Sequence, residues 1–371
     1  MSLSIKFFFF IDIKHAIQTS VLSSRWRFIW TSMPYLNFSR DDFYRLPKFS
    51  EFVTRVLSGR DNQTEVSSVK LSNFHGKDSD VIVEQIMKYA FSHNIQQLNV
   101  ACLPQKNVEF PPFRFSSRSL KHLSLTKENF LSYQRIYSCS YVFKATSTWE
   151  LPVLTTLYLD GVTLCCDENT DKCIDFFSKC ANLKNLTLKS CYTKGFKGLS
   201  ICLPLLSNLT LEDGCGSVNV FNIVAPQLKN LNIRSVFTQD HQYLISAPDL
   251  AFLLYEGLVN LSLSTHGFLS LEKADICVSY PDDAHQLLSS SVELMCHQPS
   301  PFVNLKSLKI HPVTEFSHNS GKMSAEVKSY LLDSSTGATL MMVSREVSYF
   351  IMNIILLITI RSIHHTYVSM L

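Results

Sequence analysis

Eight short segments of this chain repeat one spacing of aliphatic residues, and that spacing restricts the fold more than any other feature. They read "VSSVKL" (66–71), "IQQLNV" (95–100), "LKHLSL" (120–125), "LTTLYL" (154–159), "LKNLTL" (183–188), "LSNLTL" (206–211), "LKNLNI" (228–233) and "LKSLKI" (305–310). The last two aliphatics of each segment are two residues apart, so they share one face of a strand while their neighbours face the other way. In "LKNLTL", Leu186 and Leu188 point inward, and Asn185, Thr187 and Lys189 point outward. One such strand cannot bury its apolar face alone. Stacked neighbours build a continuous core and a parallel sheet.

Two further segments, "LAFLLY" (250–255) and "LVNLSL" (258–263), compete for one place because they are too close to be successive repeats. Intervals up to residue 250 run from 22 residues (206 to 228) to 34 (120 to 154), near the ~20–29 expected of leucine-rich repeats. The chain therefore reads as an α/β leucine-rich-repeat solenoid with a parallel sheet. Of the Asn or Cys that commonly follows the last aliphatic by three, only Cys191 is present. Phe74, Leu103, Glu128, Val162, Gly214 and Val236 hold that place elsewhere, which predicts an uneven solenoid. Return segments should cross on the far side, and "CIDFFSKC" (173–180) has Ile174, Phe177 and Ala181 at helical spacing.

Before the repeats, "KHAIQTSVLSSRWRFIWTSMPYLNF" (14–38) has the spacing of two short amphipathic helices. Ile17, Val21 and Leu22 lie on the first, and Trp26, Ile29 and Trp30 on the second. Ser23 or Ser24 can cap the second helix and Pro34 can stop it. Each tryptophan carries ~150–250 Å² of burial, so the pair should meet the repeats or a partner.

Three segments then agree in order with one family. "AIQTSVLSSRWRFIWTSMPYLNF" resembles the second half of a plant F-box. "LISAPDLAFLLYEG" (244–257) matches the habit of plant F-box/leucine-rich-repeat proteins. "PFVNLKSLKIHP" (301–312) and "VKSYLLDSSTGATLMMVSRE" (327–346) resemble the FBD region that closes many of them. The resemblance divides the chain into an atypical N-terminus (1–13), a partial F-box (14–38), a solenoid (60–300), an FBD-like region (301–346) and an atypical hydrophobic tail (347–371). It implies a substrate-receptor subunit of an SCF-type cullin–RING ubiquitin ligase, working in protein ubiquitination from the cytoplasm or nucleus. A Skp-type adaptor would be held by Val21, Leu22, Arg25, Trp26 and Trp30, and an unidentified protein substrate by the repeats. "MSLSIKFFFFIDIK" lacks the Leu-Pro pair and first helix of a family F-box, so weak or absent adaptor binding is the expectation. Both ends fit translated non-coding sequence. The alternatives are a ligase-independent leucine-rich-repeat interaction module, or a tail-anchored membrane protein using "YFIMNIILLITI" (349–360), which falls short of the ~20 residues a membrane helix needs.

Bond chemistry is not expected, and neither are cofactors or catalytic residues. No G-x-S-x-G, H-E-x-x-H, Walker loop or G-x-G-x-x-G occurs. "GCG" (214–216) reads as a turn, and "DENTD" (167–171) as a solvated loop and helix N-cap without EF-hand spacing. The 11 cysteines are irregularly spaced with no C-x-x-C pair, which fits reduced core thiols and not a zinc site. A net charge of +3 without a basic stripe argues against a nucleic-acid partner. Outward residues of the stacked strands should form a concave binding face: Tyr158, Asp160, Asn185, Thr187, Lys189, Asn208, Glu212, Asn230, Asn232 and Arg234. This set is mixed in charge and rich in asparagine, as suits hydrogen bonding to another protein.

Overall fold

The structure, a computed structural model, describes residues 12–24, 26–40, 43, 45–75, 79–103, 108–109, 116–127, 141–144, 150–212, 218–234, 242–258, 268–279, 306–312 and 339–342. Each repeated segment becomes a strand. Twelve strands lie side by side in one sheet: β1 (Tyr35–Ser39), β2 (Ser68–His75), β3 (Gln97–Leu103), β5 (His122–Lys127), β7 (Thr156–Asp160), β9 (Asn185–Lys189), β11 (Asn208–Glu212), β13 (Asn230–Arg234), β15 (Phe252–Leu258), β16 (Lys273–Ser279), β17 (Ser307–Pro312) and β18 (Thr339–Met342). Neighbours are parallel, and the repeats set their register. Leu157, Leu186, Leu209, Leu231 and Leu253 are successive partners from β7 to β15, and each is buried.

The turn that feeds each strand also repeats. In "LPVL", "LPLL", "APQL" and "APDL" a proline stands second, where its fixed φ suits a β-turn. The leucine N–H closes the turn: Leu154 donates to the Leu151 carbonyl, Leu206 to Leu203, Leu228 to Ala225 and Leu250 to Ala247. Those four leucines are buried. The carbonyl beside each turn then accepts two N–H groups of the next repeat, as the Lys184 carbonyl does from Ser207 and Asn208.

The return segments differ from expectation after the first two repeats. Between β1 and β2, and between β2 and β3, they are helices α2 (Leu46–Gly59) and α3 (Ser79–Ser92). Phe49, Val53, Val56 and Leu57 of α2, and Ile82, Val83, Ile86, Met87 and Ala90 of α3, recur at helical spacing and are buried. Later returns are strands: β4 (Val108–Glu109), β6 (Tyr141–Lys144), β8 (Thr163–Ile174), β10 (Tyr192–Cys202), β12 (Val220–Val224) and β14 (Gln242–Ser246) form a second parallel sheet of six. Their apolar residues alternate, as in Leu199 and Ile201, Phe221 and Ile223, and Tyr243 and Ile245, all buried in one cluster with the leucines of the first sheet. A period of two makes a strand where a period of 3.6 makes a helix.

"CIDFFSKC" is therefore not a helix. It finishes β8 and turns, with Asp175 Oδ1 accepting the Phe177 N–H at 2.9 Å and the Cys180 N–H reaching the Phe177 carbonyl at 2.8 Å. "DENTD" lies within β8 and not in a loop. "LAFLLY" supplies β15, while most of "LVNLSL", together with "GCG", lies outside the described residues.

Cys191 and Val162 are both buried at the position that follows the last aliphatic by three. Cys191 Sγ lies 3.6 Å from the Leu159 carbonyl oxygen. A weak thiol donor bonds the preceding repeat at one step and a valine fills the same place at another, which is the expected unevenness. Burial pushes the Cys180 thiol up to about 12. That thiol stays protonated and serves as a core residue.

Candidate protein-interaction surfaces

The N-terminal segment departs from two helices. Helix α1 (Ile13–Thr19) starts at Asp12, whose Oδ1 accepts the His15 N–H at 2.8 Å. Ile13 and Ala16 are buried. It ends before Val21 because Thr19 and Ser20 donate their hydroxyls to the carbonyls of Ala16 and Ile17, a competition with the helix ladder that these side chains favour. The expected second helix is reduced to one 3-10 turn, Ile29–Ser32, preceded by Phe28 without a side-chain cap. Serines and aromatics dominate "SSRWRFIW", and such residues propagate a helix poorly.

The shortened helices turn the two tryptophans apart. Trp30 packs inward: a Cβ on Gly59 would stand 2.9 Å from its Cη2. Its carbonyl accepts Arg60 Nη1 at 3.1 Å. Arg60 is 4% exposed and also donates Nη2 to the Met33 carbonyl at 2.6 Å and Nε to the Tyr89 hydroxyl at 3.2 Å. This clamp joins the end of α2 to the N-terminal turns and to α3. Val21, Leu22 and Trp26 face solvent, with Val21 85% and Leu22 71% exposed. Phe28, also exposed, joins them; it lies off the i, i+3, i+4 spacing of Trp26, Ile29 and Trp30, so no periodicity marks it. Arg25 lies outside the described residues. Three of the five sequence-selected adaptor residues are thus exposed on successive turns, and Trp30 packs against Gly59.

All ten sequence-selected substrate residues lie on the open face of the twelve-stranded sheet, arranged in three rows across the strands. In the first row Asn185 donates to Thr156 Oγ1 at 3.3 Å, Asn208 to Asn185 Oδ1 at 2.7 Å and Asn230 to Asn208 Oδ1 at 2.6 Å. The middle row is Tyr158, Thr187, Thr210 and Asn232. Asn232 donates to Thr210 Oγ1 at 3.5 Å, and among the described residues its buried Oδ1 has no partner. The physical reason is its register neighbour Leu254, which can neither donate nor accept.

The third row alternates in charge: Asp160, Lys189, Glu212, Arg234 and Glu256. Lys189 Nζ lies 3.4 Å from Glu212 Oε1, and Arg234 Nε 3.8 Å from Glu256 Oε2. Sequence reasoning omitted Glu256, Phe252 and Leu254 because "LAFLLY" and "LVNLSL" competed for one strand.

Burial, then the nearby Asp160 carboxylate, pushes the Tyr158 hydroxyl up to about 12, and the hydroxyl donates to Asp160 Oδ2 at 3.2 Å. A raised folded-state value means that the folded chain holds this proton more tightly than the unfolded chain. The stabilising contribution is complete below pH ~10 and disappears as pH rises toward 12. Alkaline titration at 295 nm should show a phenol, absent in Tyr158→Phe, that ionises after the exposed tyrosines.

Among the described residues no cluster of His, Cys, Asp and Glu could hold a metal ion, and no helix is long and apolar enough to cross a membrane.

Comparison with curated proteins finds plant relatives. The chain is 29% identical over 231 residues to an F-box/FBD/LRR-repeat protein of Arabidopsis thaliana, covering 60% of this chain and 51% of that protein. A second F-box/FBD/LRR-repeat protein of that plant is 30% identical over 241 residues, covering 61% of this chain and 50% of the relative. An FBD-associated F-box protein, also from Arabidopsis thaliana, is 27% identical over 252 residues, covering 67% and 51%. The chain thus spans about half the length of these relatives. No model of a known protein family matches it, and no solved structure does.

Proposed function

We propose, for a chain that is a relative of the plant F-box/FBD/LRR-repeat proteins, that it is a substrate receptor of an SCF-type cullin–RING ubiquitin ligase, working in the cytoplasm or nucleus. In this reading the segment carrying Val21, Leu22, Arg25 and Trp26 meets a Skp-type adaptor. The open face of the sheet holds a protein substrate. The chain itself performs no bond chemistry; it brings the substrate to the ligase. The observation that supports the adaptor half is the exposure of Val21, Leu22, Trp26 and Phe28 within one eight-residue stretch of successive turns, since exposed apolar surface of this kind marks interaction sites.

Binding of a purified Skp-type adaptor tests it. Saturable capture is expected, weaker than for an F-box with both helical halves, and at least tenfold weaker in Leu22→Asp, whose melting temperature should not change. Absence of capture, or capture indifferent to Leu22→Asp, overturns the ligase reading.

A second reading is a ligase-independent leucine-rich-repeat module. It is favoured by the reduction of the second helix to Ile29–Ser32 and by the placement of Tyr35–Ser39 as the first strand of the sheet. The adaptor measurement separates the two.

A further inference from the structure

We infer that the open face docks an uncharged polypeptide segment that presents an aliphatic or aromatic side chain to Phe252 and Leu254. This rests on the reading of that face as the substrate surface and specifies what the surface selects.

The charged row cannot be the main source of selection. Asp160, Lys189, Glu212, Arg234 and Glu256 alternate in sign on consecutive strands, and Lys189–Glu212 and Arg234–Glu256 form ion pairs of 3.4 and 3.8 Å. Opposite charges at this spacing cancel each other's field within a strand or two, so a strongly charged partner gains little from the row and loses hydration there. The first row is occupied within itself, as each of the three asparagine amides donates to its neighbour on the preceding strand. It offers a fixed, neutral, hydrogen-bonding edge.

The face changes character at β15. Phe252 stands between Asn230 and Lys273, and Leu254 between Asn232 and Asp275; the four preceding strands carry hydroxyls and amides in these two rows, and the one lysine and one aspartate of β16 add no net charge. Both side chains are half-buried on the open side, while Leu253 and Tyr255 between and beyond them go to the core. Sheet solvation alone would place polar residues there, as it does on β7 to β13. An apolar pair beside a preorganised polar edge provides an anchor with flanking hydrogen bonds, as the apolar core and polar rim of a protein interface do.

Selection from a random twelve-residue peptide library displayed on phage, against the full chain, tests the inference. Enriched peptides should contain an apolar residue flanked by uncharged polar ones. Their affinity should change less than about twofold between 50 and 500 mM NaCl and fall at least tenfold in Leu254→Asp, with Leu254→Asn as the second variant should the aspartate unfold the chain. Charged peptides with salt-sensitive affinity, or no enrichment at all, overturn it. Loss of binding in Thr187→Arg but not in the Leu254 variants keeps the open face as the docking surface and removes the apolar anchor. Loss in neither removes both.

Discussion

Replacing Leu209 by alanine should lower the unfolding free energy by about 2–5 kcal/mol, whereas replacing the adjacent Thr210 by alanine should cost about 1 kcal/mol or less. Leu209 is fully buried in the middle of β11 and its register neighbours are Leu186 and Leu231, also buried. Truncation leaves a void between strands fixed by their neighbours, and the cost includes both lost transfer energy and the unfilled cavity. Thr210 is one residue away on the open face and accepts only the long bond from Asn232. Urea midpoints of the two variants, compared at equal slope, measure the difference. Equal costs would mean that β11 does not have one buried and one open side.

The second large effect concerns Arg60. Arg60→Ala should destabilise the N-terminal region by about 2–4 kcal/mol, because a buried cation that donates to two carbonyls and a hydroxyl is removed, and the Trp30 carbonyl is left with the 3.4 Å bond from the Met33 N–H. Arg60→Lys should recover little, since one compact ammonium cannot span acceptors that the planar guanidinium reaches in three directions. Trypsin cleavage after Lys14 and Arg27 should accelerate in both variants. Unchanged cleavage would show that the turns carrying Trp30 and Met33 are held by other contacts.

Much of the large sheet was legible from spacing alone, because burial of one face demands a period of two and every repeat had to supply it. The strand β16 escaped notice because Ala274 stands where the pattern carries a leucine, although it is buried and pairs in register with Leu253. β1 escaped because "YLNF" reads as the end of a helical segment; its burial is decided by pairing with β2, where Tyr35 meets Ser68, and no local pattern reports a distant partner. The returns were harder. "CIDFFSKC" satisfies a helical spacing over a few residues, but β8 continues from Thr163 and pairs with β10, and that pairing overrides the local signal.

On the candidate surfaces, alternation places all ten candidate residues on one face. It could not show that the asparagines bond one another or that the charges neutralise along a row, since both depend on the register between strands. In the N-terminal segment, Val21, Leu22 and Trp26 were chosen for the adaptor and are exposed, but Trp30 is not, because Arg60 and Gly59 draw it inward.

The claim on which the rest depends is that the repeats stack as parallel strands in register. Zero-length carbodiimide coupling, read by mass spectrometry of peptides from the unmodified chain, tests it directly. The expected isopeptide bonds join Lys189 to Glu212, whose Nζ and Oε1 are 3.4 Å apart across β9 and β11, and Lys306 to Glu272, 2.7 Å apart where β16 and β17 begin. Coupling of Lys189 to acidic residues of its own repeat, with no bond to Glu212, would contradict it.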